Sequence, residues 1–302
     1  MEKIKSGFIA IIGRPNVGKS TLLNQLLQKK ISIVTQKAQT TRNKILGILS
    51  NDDYQMIFMD TPGIHTPFTN LGSYMNKIAY SSISSADIIL FVVPANENIG
   101  KNDLAIVEKL KKINKPIILV ISKIDVVSLE KLETKKQQWL DLNMNVKDIV
   151  VISALENYNL PMLKNVIYKN LPVENNGIKF YPDDMLTDQP EKFLIKEIVR
   201  EQILLLTEDE VPFSTAVLVE EFEETSKEMK IRVSIIVERN SQKAILIGKH
   251  GSMIREIGIK SRMEMERLFN TKVHLNTFVT FEPKWRQSPS LIKKLGYGKD
   301  SY

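Results

Sequence analysis

Between residue 7 and about residue 171, short apolar runs alternate with amphipathic segments of helical period. Several of the runs lack polar–apolar alternation, which is typical of central strands covered on both faces. This order predicts an α/β domain with a mostly parallel sheet, helices on both faces and a ligand site at the carboxyl ends of the strands. The predicted strands are 7–12, 44–50, 54–60, 87–93, 116–122 and 148–152, and the predicted helices are about 19–28, 71–83, 101–113, 127–142 and 158–170. We expect the second and third strands to form an antiparallel hairpin.

A different pattern follows residue 190. Residues 173–190 contain two Pro, two Asn and three Asp, which indicates a linker. Beyond it, helical and period-two patterns predict an α+β domain with helices at about 191–206 and 252–269 and strands at 213–224, 229–238 and 272–281. The predicted organisation is therefore a first domain over 1–172, a linker over 173–190, and a second domain over 191–302 with a basic C-terminal tail. Near that tail, Trp285 and Tyr297 could stack on bases or pack inside the domain, and we favour packing.

The basic excess lies at the C-terminal end of the chain. Residues 239–302 hold 13 Lys or Arg and 5 Asp or Glu, whereas residues 1–238 hold 29 and 30, so the net charges are +8 and −1. Such a segment is typical of a protein that binds a polyanion.

The chain has 302 residues and no cysteine, which excludes disulfides and cysteine-ligated zinc. No apolar run is long enough to span a bilayer, and the apolar start leads directly into a loop motif rather than a cleavage site.

That loop motif, residues 13–20, is the most specific signal in the sequence. GRPNVGKS matches G-x-x-x-x-G-K-[ST], and it lies between a predicted strand and a predicted helix. Backbone N–H groups in such a loop surround phosphates, Lys19 reaches the β- and γ-phosphates, and the Ser20 hydroxyl ligates Mg²⁺. The predicted nucleotide-binding residues here are Gly13, Arg14, Pro15, Asn16, Val17, Gly18, Lys19, Ser20 and Thr21.

Two further segments are expected near the phosphates. Asp60, Thr61, Pro62 and Gly63 follow a buried strand, where the carboxylate can hold Mg²⁺ through a water and the Gly63 N–H can contact the γ-phosphate. Before the second strand, the segment Gln39-Thr40-Thr41-Arg42 offers two threonine hydroxyls, one of which can complete the Mg²⁺ shell, and we favour Thr41 over Thr40. Predicted catalytic residues are Lys19, Asn16, Thr41 and Gly63, and predicted metal ligands are Ser20, Thr41 and, through water, Asp60.

Two strand ends are expected to bind the base. Asp125 in the segment Ser122-Lys123-Ile-Asp125 can accept two hydrogen bonds from guanine, a pair of donors that adenine lacks. A backbone N–H at Ser153 or Ala154 could reach the guanine O6. In order and spacing these motifs resemble the TRAFAC GTPases, in which the base-binding segment is Asn-Lys-x-Asp. Ser122 replaces the Asn whose amide reaches guanine N7 and ties this loop to the P-loop. The loss of one hydrogen bond, about 0.5–1.5 kcal/mol, implies up to about tenfold weaker binding.

The resemblance also bears on hydrolysis. Ile64 occupies the position at which Ras-like GTPases have a water-orienting Gln, so we expect slow intrinsic hydrolysis. In several GTPases with this P-loop, an Asn at the position of Asn16 ligates K⁺ against the phosphates. Asn16 could instead only shape the turn, and both interpretations stay open.

A second motif lies in the C-terminal domain. Gly248-Lys249-His250-Gly251 separates an apolar run from a predicted helix, as in the G-x-x-G loop of KH domains, which clamps single-stranded RNA. The helix–strand–strand–helix–strand order is that of a type II KH domain. The predicted RNA-binding residues are Ile247, Gly248, Lys249, His250, Gly251, Ile254 and Arg255.

Taken along the whole length, the sequence resembles the Era family of GTPases, on GRPNVGKSTLLN, AQTTRN, DTPGIH, SKID, Ser153-Ala154, AILIGKHG and the LGY near the end. The resemblance implies a slow GTPase that binds GTP or GDP with Mg²⁺, with K⁺ as a further candidate ion. It also implies a switch that binds the 3′ end of small-subunit ribosomal RNA and assists assembly of the 30S subunit. The implied location is the cytoplasm with a peripheral membrane fraction, as a monomer.

Two other functions are compatible with the residues. A P-loop ATPase with an accessory basic domain would bind ATP as well as GTP, which Asp125 argues against. A non-switching RNA-binding protein with a weak nucleotide site would explain Ser122 and Ile64, but Lys19, Ser20 and Asp60 are all present.

Overall fold

A computed structural model describes residues 4–173 and 179–297, and it divides into two compact units. Unit 1 comprises residues 1–32, 41–67 and 75–188, and unit 2 comprises residues 33–40, 68–74 and 189–302. Two short segments of the N-terminal half, 33–40 and 68–74, therefore belong to unit 2. The few residues that are not described include part of the predicted linker and the end of the predicted basic tail.

Unit 1 is built on a six-stranded sheet in the order β2-β3-β1-β4-β5-β6. Only β2 runs antiparallel, paired with β3 as the predicted hairpin, and the other neighbours are parallel. Every residue of β4 and β5 is buried, because parallel strands joined through crossover helices are covered on both faces. The strands are β1 (Lys5–Ile12), β2 (Ile45–Ser50), β3 (Tyr54–Asp60), β4 (Ile88–Pro94), β5 (Ile117–Ser122) and β6 (Asp148–Val151).

Helices connect these strands at the positions that the sequence predicts. They are α1 (Lys19–Leu27), α2 (Asn70–Ser85), α3 (Lys101–Leu110), α4 (Leu129–Leu140) and α5 (Leu160–Asn170). The predicted fold class of this domain is confirmed. The parallel arrangement brings the loops that follow β1, β3, β5 and β6 to one edge of the sheet, which is where ligands bind in such folds.

Unit 2 contains a three-stranded sheet in the order β7-β8-β9, with β7 (Ala216–Glu224) antiparallel and β9 (Lys272–Phe281) parallel to β8 (Glu228–Val237). Helices α6 (Glu191–Leu206) and α9 (Ser252–Phe269) pack their apolar residues with one face of this sheet in a single core. The bounds of α6, α9 and β9 agree with the prediction. The predicted class, a P-loop GTPase domain followed by an α+β KH domain, is confirmed.

Two elements of unit 2 differ from the prediction. The strand expected from residue 213 begins at Ala216, because Val211–Ser214 forms a one-turn helix, α7, with Pro212 in its first turn. A helix that the sequence analysis missed, α8 (Asn240–Ile247), occupies the apolar run before the G-x-x-G loop. The side chain of Gln242 accepts hydrogen bonds of 3.1 Å from the backbone N–H groups of Glu238 and Arg239 and so begins this helix.

The last described segment, residues 285–297, packs as expected. A short turn at Trp285–Gln287 leads to α10 (Pro289–Lys294). Trp285 and Tyr297 are fully buried, their ring centroids lie 6.0 Å apart, and the indole N–H donates to the carbonyl of Ser214 at 2.8 Å. These aromatic side chains are therefore core residues rather than base-stacking residues. Within the described part of the chain, no helix combines the length and the apolarity needed to cross a membrane.

Candidate nucleotide and RNA sites

The P-loop lies between β1 and α1, with Gly18 as the residue before the helix. The Lys19 side chain turns back over the loop, and its ammonium group donates to the carbonyl oxygens of Gly13 at 3.2 Å and Arg14 at 2.8 Å. Burial lowers the pKa of Lys19 to about 8, although the carboxylate of Asp60 acts in the opposite direction. The loop therefore holds a desolvated cation at the place where the motif predicts the β- and γ-phosphates.

Four oxygen-bearing side chains converge beside this lysine. The Ser20 hydroxyl lies 2.6 Å from Oδ2 of Asp60 and 2.8 Å from the hydroxyl of Thr41, and the Ser32 hydroxyl also donates to Oδ2 at 2.9 Å. Asp60 is fully buried at the end of β3, and burial raises the pKa of its carboxyl against the opposing effects of Ser20, Lys19 and Ser32. Among the residues that the structure describes, its buried Oδ1 has no hydrogen-bond partner. A buried carboxylate oxygen of this kind fits a magnesium-bound water.

The structure also separates the two candidate threonines. Thr40 bonds locally, with its hydroxyl 2.6 Å from the carbonyl of Lys37 and 2.7 Å from the hydroxyl of Thr35. Thr41 is the one whose hydroxyl meets Ser20. Ser32, which the sequence analysis did not select, joins the same cluster through Asp60, and no motif marks it because the contact depends on the fold.

The segment after β3 is held against the P-loop. Thr61 donates from its hydroxyl to the carbonyl of Ile11 at 2.8 Å, and the Ile64 N–H donates to the carbonyl of Gly13 at 3.1 Å. A side chain at Gly63 would meet backbone atoms of Pro15 at 2.6 and 2.7 Å, so only glycine permits this close approach. The Ile64 side chain is 3% exposed and belongs to the core of unit 1.

The predicted base-binding residues gather at the ends of β5 and β6. Ser122 is buried, and its hydroxyl lies 2.7 Å from the carbonyl oxygen of Val17 and 3.1 Å from that of Val93. Asp125 is exposed in a short turn, Ile124–Val126. The Ile124 N–H donates to the carbonyl of Ile152 at 3.4 Å, which brings this turn beside Ser153 and Ala154. The serine hydroxyl therefore reaches the P-loop at one carbonyl, that of Val17.

The remaining P-loop residues differ in their exposure and contacts. Val17 is buried, Asn16 is exposed with a φ of 64°, and Arg14 forms ion pairs with Glu97 at 2.8 Å and Asp103 at 3.4 Å. Glu97 and Asp103 were not predicted, because they lie in the loop and helix after β4 and belong to no motif. All predicted nucleotide residues of unit 1 therefore lie at one edge of the sheet, namely Gly13, Arg14, Pro15, Asn16, Val17, Gly18, Lys19, Ser20, Thr21, Asp60, Thr61, Pro62, Gly63, Ser122, Lys123, Asp125, Ser153 and Ala154.

In unit 2, the G-x-x-G loop joins α8 to α9. Gly248 has a φ of +72° and Gly251 a φ of +77°, a backbone conformation that favours glycine, and a Cβ on Gly251 would meet no atom within 4 Å. A groove of about 420 Å³ beside the loop is lined by Lys249, His250, Ser252, Arg255, Glu256, Ile259 and Lys260. Ile247 is 37% exposed and Ile254 is half-buried. Lys260, a further basic residue of this groove, lies one helical turn after Glu256 and forms an ion pair of 2.8 Å with it.

Comparison with known proteins agrees with both predicted domain types. A family model described as 50S ribosome-binding GTPase matches residues 8–123, and a KH domain model matches residues 210–286. A crystal structure of Era in complex with MgGDPNP and nucleotides 1506–1542 of 16S ribosomal RNA is 40% identical in sequence, covers 98% of this chain and 99% of its own, and superposes with a TM-score of 0.93. The chain belongs to the Era family of GTPases. A variant of Aquifex aeolicus Era bound to GDP and aluminium fluoride matches at the same identity and TM-score, over 98% of this chain and all of its own.

Family membership confirms two predictions for this chain and leaves others open. The GTPase activity and the KH architecture are those of the family. The individual roles of the site residues, the domain boundaries, the dependence on K⁺ and a membrane contact remain predictions.

Proposed function

We propose that this Era-family GTPase is a GTP-controlled switch that binds the 3′ end of small-subunit ribosomal RNA and assists assembly of the 30S subunit. The main support is that one chain carries both a G-x-x-G groove and a phosphate site, and that its 40% identical relative was crystallised with the 16S ribosomal RNA segment. The chain's basic excess, which includes the groove, suits a phosphodiester ligand.

At the phosphates, we assign the roles from position and chemistry. Lys19 would stabilise charge on the transferring phosphoryl group, and the Gly63 N–H would contact the γ-phosphate. Ser20 and Thr41 would bind Mg²⁺ directly and Asp60 through a water, which agrees with the cluster of their oxygens. Mg²⁺ would supply charge neutralisation between the β- and γ-phosphates. Because Ile64 lies in the core, no side chain at that position orients the attacking water, so we expect slow hydrolysis.

We place the proposed switch at residues 40 and 41, where the chain passes from unit 2 to unit 1. The carbonyl oxygens of Thr40 and Gln39 accept hydrogen bonds from Arg200 within unit 2, while the next residue, Thr41, bonds to Ser20 within unit 1. Loss of the γ-phosphate would release Thr41 and Gly63, and the peptide after Thr40 would transmit that release to unit 2.

A pair of variants tests the RNA site. Gly251→Asp places a carboxylate where the sugar-phosphate chain would approach, whereas Gly251→Asn adds a side chain of the same size without charge and tolerates the positive φ. We expect the Asp variant to bind an oligoribonucleotide of the 16S 3′ end at least tenfold more weakly than the Asn variant, with GTP hydrolysis unchanged in both. Equal RNA affinity for the wild type and the Asp variant would show that the G-x-x-G loop does not bind this RNA.

The same oligoribonucleotide tests the switch. We expect tighter binding with GDPNP than with GDP or without nucleotide, and equal affinity in all three states would leave a non-switching RNA-binding protein. Equal binding of ATP and GTP would instead show that Asp125 does not select guanine. Asp125→Asn should shift selectivity from guanine to xanthine nucleotides.

We also propose, on the family resemblance, a cytoplasmic monomer with a peripheral membrane fraction, which fractionation and sedimentation would test.

A further inference from the structure

One acidic side chain stands between the two loops that bind the nucleotide. The carboxylate of Glu97 lies 2.8 Å from a terminal guanidinium nitrogen of Arg14, in the P-loop, and 3.7 Å from the ammonium nitrogen of Lys123, in the base-binding loop. Its two oxygens are used separately, Oε2 toward Arg14 and Oε1 toward Lys123. Glu97 thus links the phosphate-binding and base-binding loops within unit 1.

Arg14 is itself held in place from the other side. Its Nε lies 3.4 Å from Oδ2 of Asp103, a carboxylate that is 1% exposed and that also accepts the Gly100 N–H at 2.9 Å at the start of α3. Burial raises the pKa of the Asp103 carboxyl, and Arg14 counteracts this effect. The Arg14 guanidinium group therefore has a carboxylate on two sides, and Glu97 connects the more exposed Lys123 to it.

This link matters because position 122 holds a serine. An Asn side chain carries two N–H donors and one acceptor oxygen, whereas the Ser122 hydroxyl has one hydrogen to donate. That hydrogen can serve only one of the two carbonyls within reach, Val17 at 2.7 Å or Val93 at 3.1 Å. Only one of these, Val17, belongs to the P-loop, so the hydroxyl provides at most one bond between the loops.

We infer that Glu97 is a positioning residue for the guanine nucleotide, which joins Arg14 to Lys123 and replaces the part of the loop-to-loop tie that Ser122 cannot make. By holding the Lys123 ammonium group, Glu97 would fix the alkyl stem of this lysine where it can lie over the plane of the bound guanine. The inference rests on the proposed guanine site. Because Arg14 and Lys123 are both partly exposed, the two ion pairs contribute only moderately to nucleotide affinity, and salt screens them.

The first test measures release of a fluorescent GDP analogue from the full chain. We expect Glu97→Gln to raise the dissociation rate about three- to tenfold at low ionic strength and less than twofold in about 0.5 M salt. Glu133→Gln, which removes an exposed ion pair with Lys136 at 3.8 Å in α4, is the matched control and should leave the rate unchanged. Equal rates for the wild type and Glu97→Gln would overturn the inference.

The second test separates this role from a general effect on folding. Lys123→Met removes the other end of the link, so the double variant with Glu97→Gln should release the nucleotide no faster than Lys123→Met alone. In a Ser122→Asn background, Glu97→Gln should change the rate less than twofold, because the amide restores the tie. If Glu97→Gln raised the release rate by the same factor in the Lys123→Met and Ser122→Asn backgrounds as in the wild type, the role assigned to Glu97 would be refuted. If the wild type released ADP and GDP equally, the guanine site itself would fail, whatever the result for Glu97.

Discussion

The ammonium nitrogen of Lys19 lies 2.8 Å from the carbonyl oxygen of Arg14 and donates a hydrogen bond to it within the P-loop. Desolvation lowers the pKa of this buried lysine to about 8, with Asp60 counteracting part of the effect. Phosphates placed at the same ammonium group would favour its charged form and raise its pKa. Nucleotide binding above pH 8 should therefore be accompanied by uptake of a proton.

We expect calorimetric titration with GDP in two buffers of different ionisation enthalpy to show clearly more proton uptake at pH 8.5 than at pH 7. The affinity should fall as the pH rises above 8. Lys19→Arg, which does not titrate in this range, is the control and should take up less. Equal uptake by the wild type and the Arg variant would contradict the prediction.

The same lowered pKa affects the nucleotide-free protein. Below pH 8 the ammonium group is charged in both the folded and the unfolded state, and its burial opposes folding. Between pH 8 and the ordinary value of 10.5, the folded state has lost this proton and the unfolded state has not, so the contribution of Lys19 to the free energy of unfolding rises with pH.

The sequence predicts the sheet of unit 1 well because its strands are uninterrupted apolar runs between helical segments, and each predicted strand lies within two residues of the observed one. Helix α8 is missed because its apolar residues, 244–247, form a run too short to show a helical period. The capping signal of Gln242 three residues after Arg239 could have revealed it.

The candidate site divides in the same way. Residues inside motifs, such as Ser20 and Asp60, were predicted because the spacing itself encodes the geometry of phosphate and metal binding. Ser32, Glu97 and Asp103 lie outside every motif, and only the fold brings them to the loops. The choice between Thr40 and Thr41 likewise depends on which hydroxyl the backbone turns toward Ser20.

Ile64 gives a prediction about hydrolysis. Because its side chain is 3% exposed and packs in the core, Ile64→Gln would bury an amide rather than present it to water. We expect a loss of about 2–4 kcal/mol in the free energy of unfolding and less than a twofold change in the rate of phosphate release. Ile64→Val, the control, should cost about 0.5–1.5 kcal/mol. Hydrolysis accelerated tenfold at unchanged stability would show that the position does face the nucleotide.

One substitution at Asn16 distinguishes its two candidate roles, ligation of K⁺ and shaping of the turn. Its φ of 64° is one that glycine adopts without strain, so Asn16→Gly should keep the turn and the nucleotide affinity while it removes the amide. We expect K⁺ to stimulate multiple-turnover hydrolysis by the wild type relative to Na⁺ and to have no effect on the Gly variant. Stimulation that persists in Asn16→Gly would assign the residue to the turn alone.

Arg200 and Glu197 give a prediction about stability. The guanidinium group is fully buried, donates to Glu197 at 3.0 and 2.5 Å, and also reaches the carbonyl oxygens of Gln39 and Thr40. Arg200→Ala leaves the buried carboxylate without its guanidinium partner, so we expect a loss of about 3–5 kcal/mol in urea unfolding. Arg200→Met combined with Glu197→Leu replaces the pair by apolar groups and should cost much less than the single Ala variant.

That double variant also tests the switch without loss of the fold. It removes the hydrogen bond from Arg200 to the carbonyl of Thr40, the residue next to Thr41, and leaves Ser20, Thr41 and Asp60 unchanged. We therefore expect GTP hydrolysis to stay within about twofold of the wild type, while the ratio of RNA affinities with GDPNP and with GDP falls toward one. Fluorescence anisotropy with the 16S 3′-end oligoribonucleotide measures this ratio. A ratio equal to that of the wild type would show that Arg200 stabilises unit 2 without transmitting the state of the nucleotide.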